Sequence, residues 1–186
     1  MDAFVYLRVR PGMVEEVVIA LENAPGVRAA VGVVGDWDVL AAVHGPDLRG
    51  IAENVLRDIH RIDGVERTVT APVVPADVLG PSSGGRRTPV PMQQRGDACF
   101  VQIRTAPGSA SELLEVLAGL EDVAAVALIV GAYDLIVEVP FRWEQAARVI
   151  VNEILPLPGI AAAHTLVAVS DLQPQEEDRD QFSAWS

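Results

Sequence analysis

Gly35, Trp37 and Asp38 stand together in "VVGDWDVLAAV" (residues 33–43), and Gly131, Tyr133 and Asp134 stand together in "LIVGAYDLIVEV" (residues 128–139). A carboxylate beside a large aromatic side chain can hold the ammonium group of a small ligand through a charge-assisted hydrogen bond. The ring then supplies a wall, and a glycine turn offers backbone N–H groups to the ligand's own carboxylate. An amino-acid-like molecule would use all three. The same residues also suit an ordinary hairpin, with glycine adopting an unusual φ and aspartate bonding backbone. Both readings stay open on these residues alone.

Other chemistry is sparse. His44, His60 and His164 do not recur between the two halves and lack metal-ligand spacing, so no metal site and no cofactor are expected. Cys99 shares a strand face with Val101 and Ile103 and reads as a small core residue, not a nucleophile. A single cysteine excludes an internal disulfide and fits a reducing cytoplasm. No Ser/His/Asp arrangement, phosphate loop or dinucleotide fingerprint is present, and no catalytic residue is expected. The net charge is −12. Residues 1–74 carry 7 Arg against 11 acids, residues 97–169 carry 3 against 9, and residues 170–186 carry 1 against 5. Only residues 75–96, with 3 Arg and 1 acid, are positive. Without a basic stripe, direct nucleic-acid binding is not expected. No apolar run reaches about 18 residues, so neither a membrane span nor a secretory leader is expected.

The elements that must position the two turns are written twice. Residues 4–44 align on 100–140 at a spacing of 96, with Phe4/Phe100, Arg8/Arg104, Pro11/Pro107, Gly35/Gly131 and Asp38/Asp134 identical. After one deletion the spacing becomes 95, pairing Ile59 with Ile154 and Gly64 with Gly159. "FVYLRV" and "FVQIRT" alternate as strands. Val14, Val17, Val18 and Leu21 form a helical stripe that Ala110, Leu113, Leu114 and Leu117 repeat. Ser109 with Glu112 reads as a capping box. A second helix carries Leu48, Ile51, Val55, Ile59 and Ile62 on its apolar face, matched by Trp143, Ala146, Ile150, Ile154 and Leu157. "ERTVTAPVV" and "AAAHTLVAV" close the units as strands.

The order βαββαβ predicts an α+β chain of tandem ferredoxin-like domains. Helices cover one face of each sheet, so the bare faces are expected to pack sheet to sheet, a dimeric α+β barrel within one chain. The domains are read as 1–74 and 97–169, with a Pro-, Gly- and Ser-rich linker at 75–96 and an acidic tail at 170–186 that reads as disordered. The strands read almost wholly apolar between the sheets.

The "RPG" opening, the V-x-G-x-[WY]-D hairpin and the "IDGVERTVT" close resemble the effector-binding domain of the Lrp/AsnC regulators, the RAM domain. Two tandem copies are read, and no helix-turn-helix is expected before either. The resemblance implies pairing sheet to sheet, assembly of pairs into rings, and small effectors bound between pairs near the hairpin. It implies that Gly35, Asp36, Trp37 and Asp38, with Gly131, Tyr133 and Asp134, line such sites. It also points to Thr68, Thr70 and Thr165 on the last strands. Ala132 and Ala163 replace Asp36 and Thr68 in copy two, so copy one is expected to be the better site.

Function is therefore read as a non-enzymatic, amino-acid-like effector-binding and assembly module. It would be cytoplasmic and homo-oligomeric, and would modulate transcription through a partner such as a full-length Lrp/AsnC regulator. The alternative is a small enzyme of the dimeric α+β barrel type, an oxygenase or haem-associated, an analogy that rests on fold.

Overall fold

A computed structural model describes residues 1–75, 78, 88–90 and 97–169. The linker reading at 75–96 falls largely, and the tail reading at 170–186 wholly, outside these residues. Copy one runs β1 (Asp2–Val9), α1 (Val14–Glu22), β2 (Val27–Val34), β3 (Val39–His44), α2 (Leu48–Arg57) and β4 (Val65–Pro72). A short 3-10 turn, Ile59–Arg61, precedes β4. Copy two repeats this as β5 (Cys99–Thr105), α3 (Ala110–Ala118), β6 (Ala125–Leu128), β7 (Leu135–Val139), α4 (Trp143–Val149) and β8 (Ile160–Val169). A π-helical turn, Ile150–Ile154, extends α4.

The strands form one antiparallel sheet in the order β4-β1-β3-β2-β8-β5-β7-β6. The two copies join where Gly32, Val33 and Val34 of β2 pair with Val169, Ala168 and Val167 of β8. The far edges also meet. Val73 bridges Ile129, and Val74 N–H and Val130 N–H donate to the carbonyls of Leu128 and Pro72. The sheet is thus a closed barrel, and closure removes the free edge strands that would otherwise recruit another chain.

Strand alternation divides the apolar residues into three layers. Val5, Leu7 and Val39 pack under α1 and α2 with Val17, Leu21, Ile51 and Ile59. Val101, Ile103 and Val137 pack under α3 and α4 with Leu113, Leu117 and Ile154. Between the sheets lie Phe4, Tyr6, Leu40, Phe100, Ile136 and Leu166, as the bare faces require. Cys99 is fully buried on the helix side, and burial pushes its thiol up to about 11.

Two local expectations are corrected. Ser109 lies in the αR region and its hydroxyl makes no cap hydrogen bond, so the capping box is absent; Asp47, by contrast, accepts from Gly50 N–H at 2.8 Å at the start of α2. Leu48 and Trp143, read with the apolar positions of the second helix, are 52% and 49% exposed. The sheet covers only the rows through Ile51, Val55 and Ile59, and through Ala146, Ile150 and Ile154.

Candidate functional site

Each hairpin is closed by its aspartate in the same way. Asp38 N–H donates to the Leu7 carbonyl (3.0 Å), its own carbonyl accepts from Val33 N–H (2.9 Å), and its carboxylate accepts from Val9 N–H (2.9 Å). Asp134 repeats these bonds with Ile103, Ile129 and Thr105, and also accepts from the Thr105 hydroxyl at 3.0 Å. Both latches sit where the register against the last strand shifts, between Arg8 and Val9 and between Arg104 and Thr105. A side-chain oxygen here takes the place of the next carbonyl of the neighbouring strand. The repeated aspartate therefore has a structural role in both copies. Arg8 also reaches the Asp38 carboxylate at 3.3 Å, in a partly exposed pair.

Trp37 lies at the edge of the sheet-to-sheet layer. The guanidinium carbons of Arg8 and Arg67 stand 5.9 and 5.8 Å from its ring centroid, and the Tyr6 ring 5.9 Å away. Both cations are within cation–π range, beside the indole. Arg67 escaped the sequence reading. Its signal was present in "ERTVT", where period-two spacing puts it on the face of Val69, the Trp37 side.

Copy two is built differently. Ala162 stands at the place of Arg67, and Tyr133 packs on His164 with ring centroids 5.5 Å apart. His164 Nδ1 lies 2.8 Å from Asp36 Oδ2, so the first hairpin is tied to the last strand of the other copy. Burial raises the Tyr133 phenol above its usual range; nearby Asp36 adds to this and Arg104 opposes it. Gly35 permits this approach. Its φ is +148°, and a Cβ there would sit 2.9 Å from the Thr165 carbonyl oxygen and from Leu166. At Gly131 a Cβ would meet only Ala71, at 3.8 Å.

The threonines are not part of this cluster within one chain. Thr68 and Thr70 pair with Leu7 and Val5, and Thr165 with Val101, all of which face the helices. Their side chains therefore lie on the opposite face from Trp37 and Tyr133. Thr68 Oγ1 instead meets His60 Nε2 at 2.5 Å. The structure forms two groups, Arg8, Trp37, Asp38 and Arg67 in copy one and Asp36, Tyr133 and His164 across the copies, adjoining at Asp36 and Trp37, and leaves the side chains of the three threonines apart.

The interior is less apolar than the strand pattern predicts. Gln102 and Glu138 are buried on the inner face of copy two, opposite Ile136 and Phe100. Tyr6 and Gln102 occupy equivalent positions of the repeat and approach each other across the layer. The amide is near enough to oppose part of the effect of burial, which holds the phenol far above its ordinary range. Neither residue completes a hydrogen bond: the Tyr6 hydroxyl and both Gln102 amide atoms lack partners. Among the described residues no cluster of His, Cys, Asp or Glu could hold a metal ion. No helix among them is long and apolar enough to cross a membrane.

Two ferredoxin-like units closed into one barrel define a class of tandem, dimer-like α+β barrel proteins. The chain belongs to the Lrp/AsnC ligand binding domain family, which matches residues 2–76 and again 98–177. Comparison with curated proteins gave no match. Among solved structures, a protein from Thermus thermophilus is 33% identical over 37% of this chain and 86% of its own, with a TM-score of 0.36. Escherichia coli AsnC is 17% identical over 37% of this chain and 47% of its own, with a TM-score of 0.36. The siroheme decarboxylase NirDL is 12% identical, yet covers 99% of this chain and 78% of its own with a TM-score of 0.65, a likeness of fold across both copies.

Proposed function

We propose that the chain is a non-enzymatic effector-binding module that takes a small amino-acid-like molecule at the hairpin of copy one. It assembles with further copies and acts on transcription through a partner, such as a full-length Lrp/AsnC regulator, in the cytoplasm. The arrangement around Trp37 carries this reading. Cations of Arg8 and Arg67 stand beside an aromatic wall, and the carboxylates of Asp36 and Asp38 belong to the same turn. Opposite charges a few ångströms apart beside a ring complement a zwitterion. Gly131, Tyr133 and Asp134 would form the poorer site, since Ala162 supplies no second cation. Thr68, Thr70 and Thr165 would reach a ligand only across a contact with another chain. The acidic balance of both copies keeps DNA contact with the partner.

A thermal-shift screen of the twenty amino acids and related metabolites tests this. A ligand at 100 times its Kd adds about 2.7 kcal/mol. For a chain of this size that is a rise in Tm of roughly 5–10 °C. Arg67→Ala should remove most of that rise. If no compound shifts Tm, the amino-acid reading fails.

One observation favours a second reading. Tyr6, Gln102 and Glu138 place polar, partly titratable groups between the sheets, which an enzyme of the barrel type would need. If this reading held, purified protein would retain or take up a chromophoric cofactor with a visible absorption band. A colourless protein unchanged by added haem-type tetrapyrrole would count against it.

A further inference from the structure

The outward apolar positions of the second helix recur between the copies, as the buried ones do. Leu48 and Leu56 are 52% and 61% exposed, and their equivalents Trp143 and Val151 are 49% and 58% exposed. With Ala52 and Ala147 between them, each helix bears an outward apolar row at i, i+4, i+8, beside the row buried on the sheet. Each row is flanked on its solvent side by polar residues one position further on: Arg49, Glu53 and Arg57 on α2, and Glu144, Arg148 and Asn152 on α4 and the π-helical turn that extends it. Arg49/Glu144 and Glu53/Arg148 occupy equivalent positions, so the second copy carries the first copy's charges inverted.

We propose that these rows are an interface between copies of this chain, α2 of one packed antiparallel on α4 of the next. Antiparallel helices bring like-numbered flanks to the same side of the seam. Setting Leu48 opposite Val151, Ala52 opposite Ala147 and Leu56 opposite Trp143 places Glu53 against Arg148 and Arg57 against Glu144. Arg49 then meets neutral Asn152. The homotypic alternatives set like charges together. In α2 against α2, Arg49 faces Arg57 and Glu53 faces Glu53; in α4 against α4, Arg148 faces Arg148. Like charges in contact select against those pairings. The helices lie on opposite outer layers of the barrel, so the contact runs head to tail and closes a ring or continues as a stack. One helix pair is a small contact, and a chain held at both ends in a ring gains over an open pair. Among the described residues, Val34 and Val130 are also equivalent and exposed, but as single side chains at the hairpins, whereas α2 and α4 present continuous rows. The interface needs no effector and does not depend on the ligand reading above.

The full chain should be followed by sedimentation or light scattering as its concentration rises to tens of micromolar. Wild type should exceed the 19.8 kDa of one chain. Glu53→Arg and Arg148→Glu should each move association to roughly tenfold or more higher concentration, because each sets like charges in contact. Tm should fall by no more than a few degrees, since Glu53→Arg also breaks the exposed Arg49–Glu53 pair (3.1 Å) within α2. The chain carrying both substitutions recreates the pair with its sign reversed and should associate again. A strictly single-chain mass for wild type overturns the proposal. So does a double variant no better than the singles. Loss of association on removing residues 170–186, with the helix charges intact, would assign the stripe to the tail and overturn it equally.

Discussion

Asp38→Ala separates the two uses of the hairpin carboxylate. In the structure the side chain accepts one hydrogen bond from the buried backbone of Val9 at 2.9 Å and one from Arg8 at 3.3 Å. Leaving a buried N–H without a partner costs about 1–3 kcal/mol. The exposed ion pair adds no more than about 1 kcal/mol and is screened by salt. For a chain of this size each kcal/mol moves Tm by about 2–4 °C, so a fall of roughly 3–10 °C is expected without any ligand. Asp38→Asn keeps an acceptor oxygen for Val9 and should lose much less. It also removes the charge an ammonium group would seek. Thermal unfolding of the three proteins, with and without a compound from the screen, reads both effects. A Tm for Asp38→Ala within a degree of wild type would refute the latch. Full ligand stabilisation of Asp38→Asn would show that the carboxylate's charge plays no part in binding.

Gly35→Ala should cost about 1–3 kcal/mol, because φ is positive and the new Cβ meets the Thr165 backbone, whereas Gly131→Ala should cost less; denaturant midpoints compare them. Tyr6→Phe removes a buried hydroxyl that has no partner and should leave Tm unchanged or slightly raised; a clear fall would reveal a bond to Gln102. Cys99 should resist thiol reagents at neutral pH until the chain unfolds, being buried and mostly thiol. Its pKa is about 11 when folded against 9.0 ordinarily, so between these values the unfolded chain sheds the proton first and stability falls as pH rises. Cys99→Ala should flatten that alkaline limb.

Much of the architecture was legible in the chain because the features that build it are local. Alternation in "FVYLRV" and "FVQIRT", helical stripes and hairpin glycines each depend on spacings of two to four residues, and their recurrence at 96 and 95 announced a duplication. A four-stranded sheet with helices on one face has a bare apolar face, so sheet-to-sheet packing followed from the same pattern. The tertiary structure decided what depends on register and on partners far along the chain. Period two shows that Thr68 and Thr70 share a face, but only pairing with Leu7 and Val5 puts that face under the helices. Gly-x-Trp-Asp promises a turn, but the partner of its carboxylate, Val9, is 29 residues away. Arg67 comes to Trp37 only because β4 lies beside β1, and Asp36 reaches His164 only because two copies close one barrel. A helical stripe names the apolar positions without saying how wide a strip the sheet will cover, which is why Leu48 and Trp143 stand in solvent. Local periodicity sets which residues share a face; which faces meet is set by long-range hydrogen bonding and burial, and the chemistry at the hairpins belongs to that second kind.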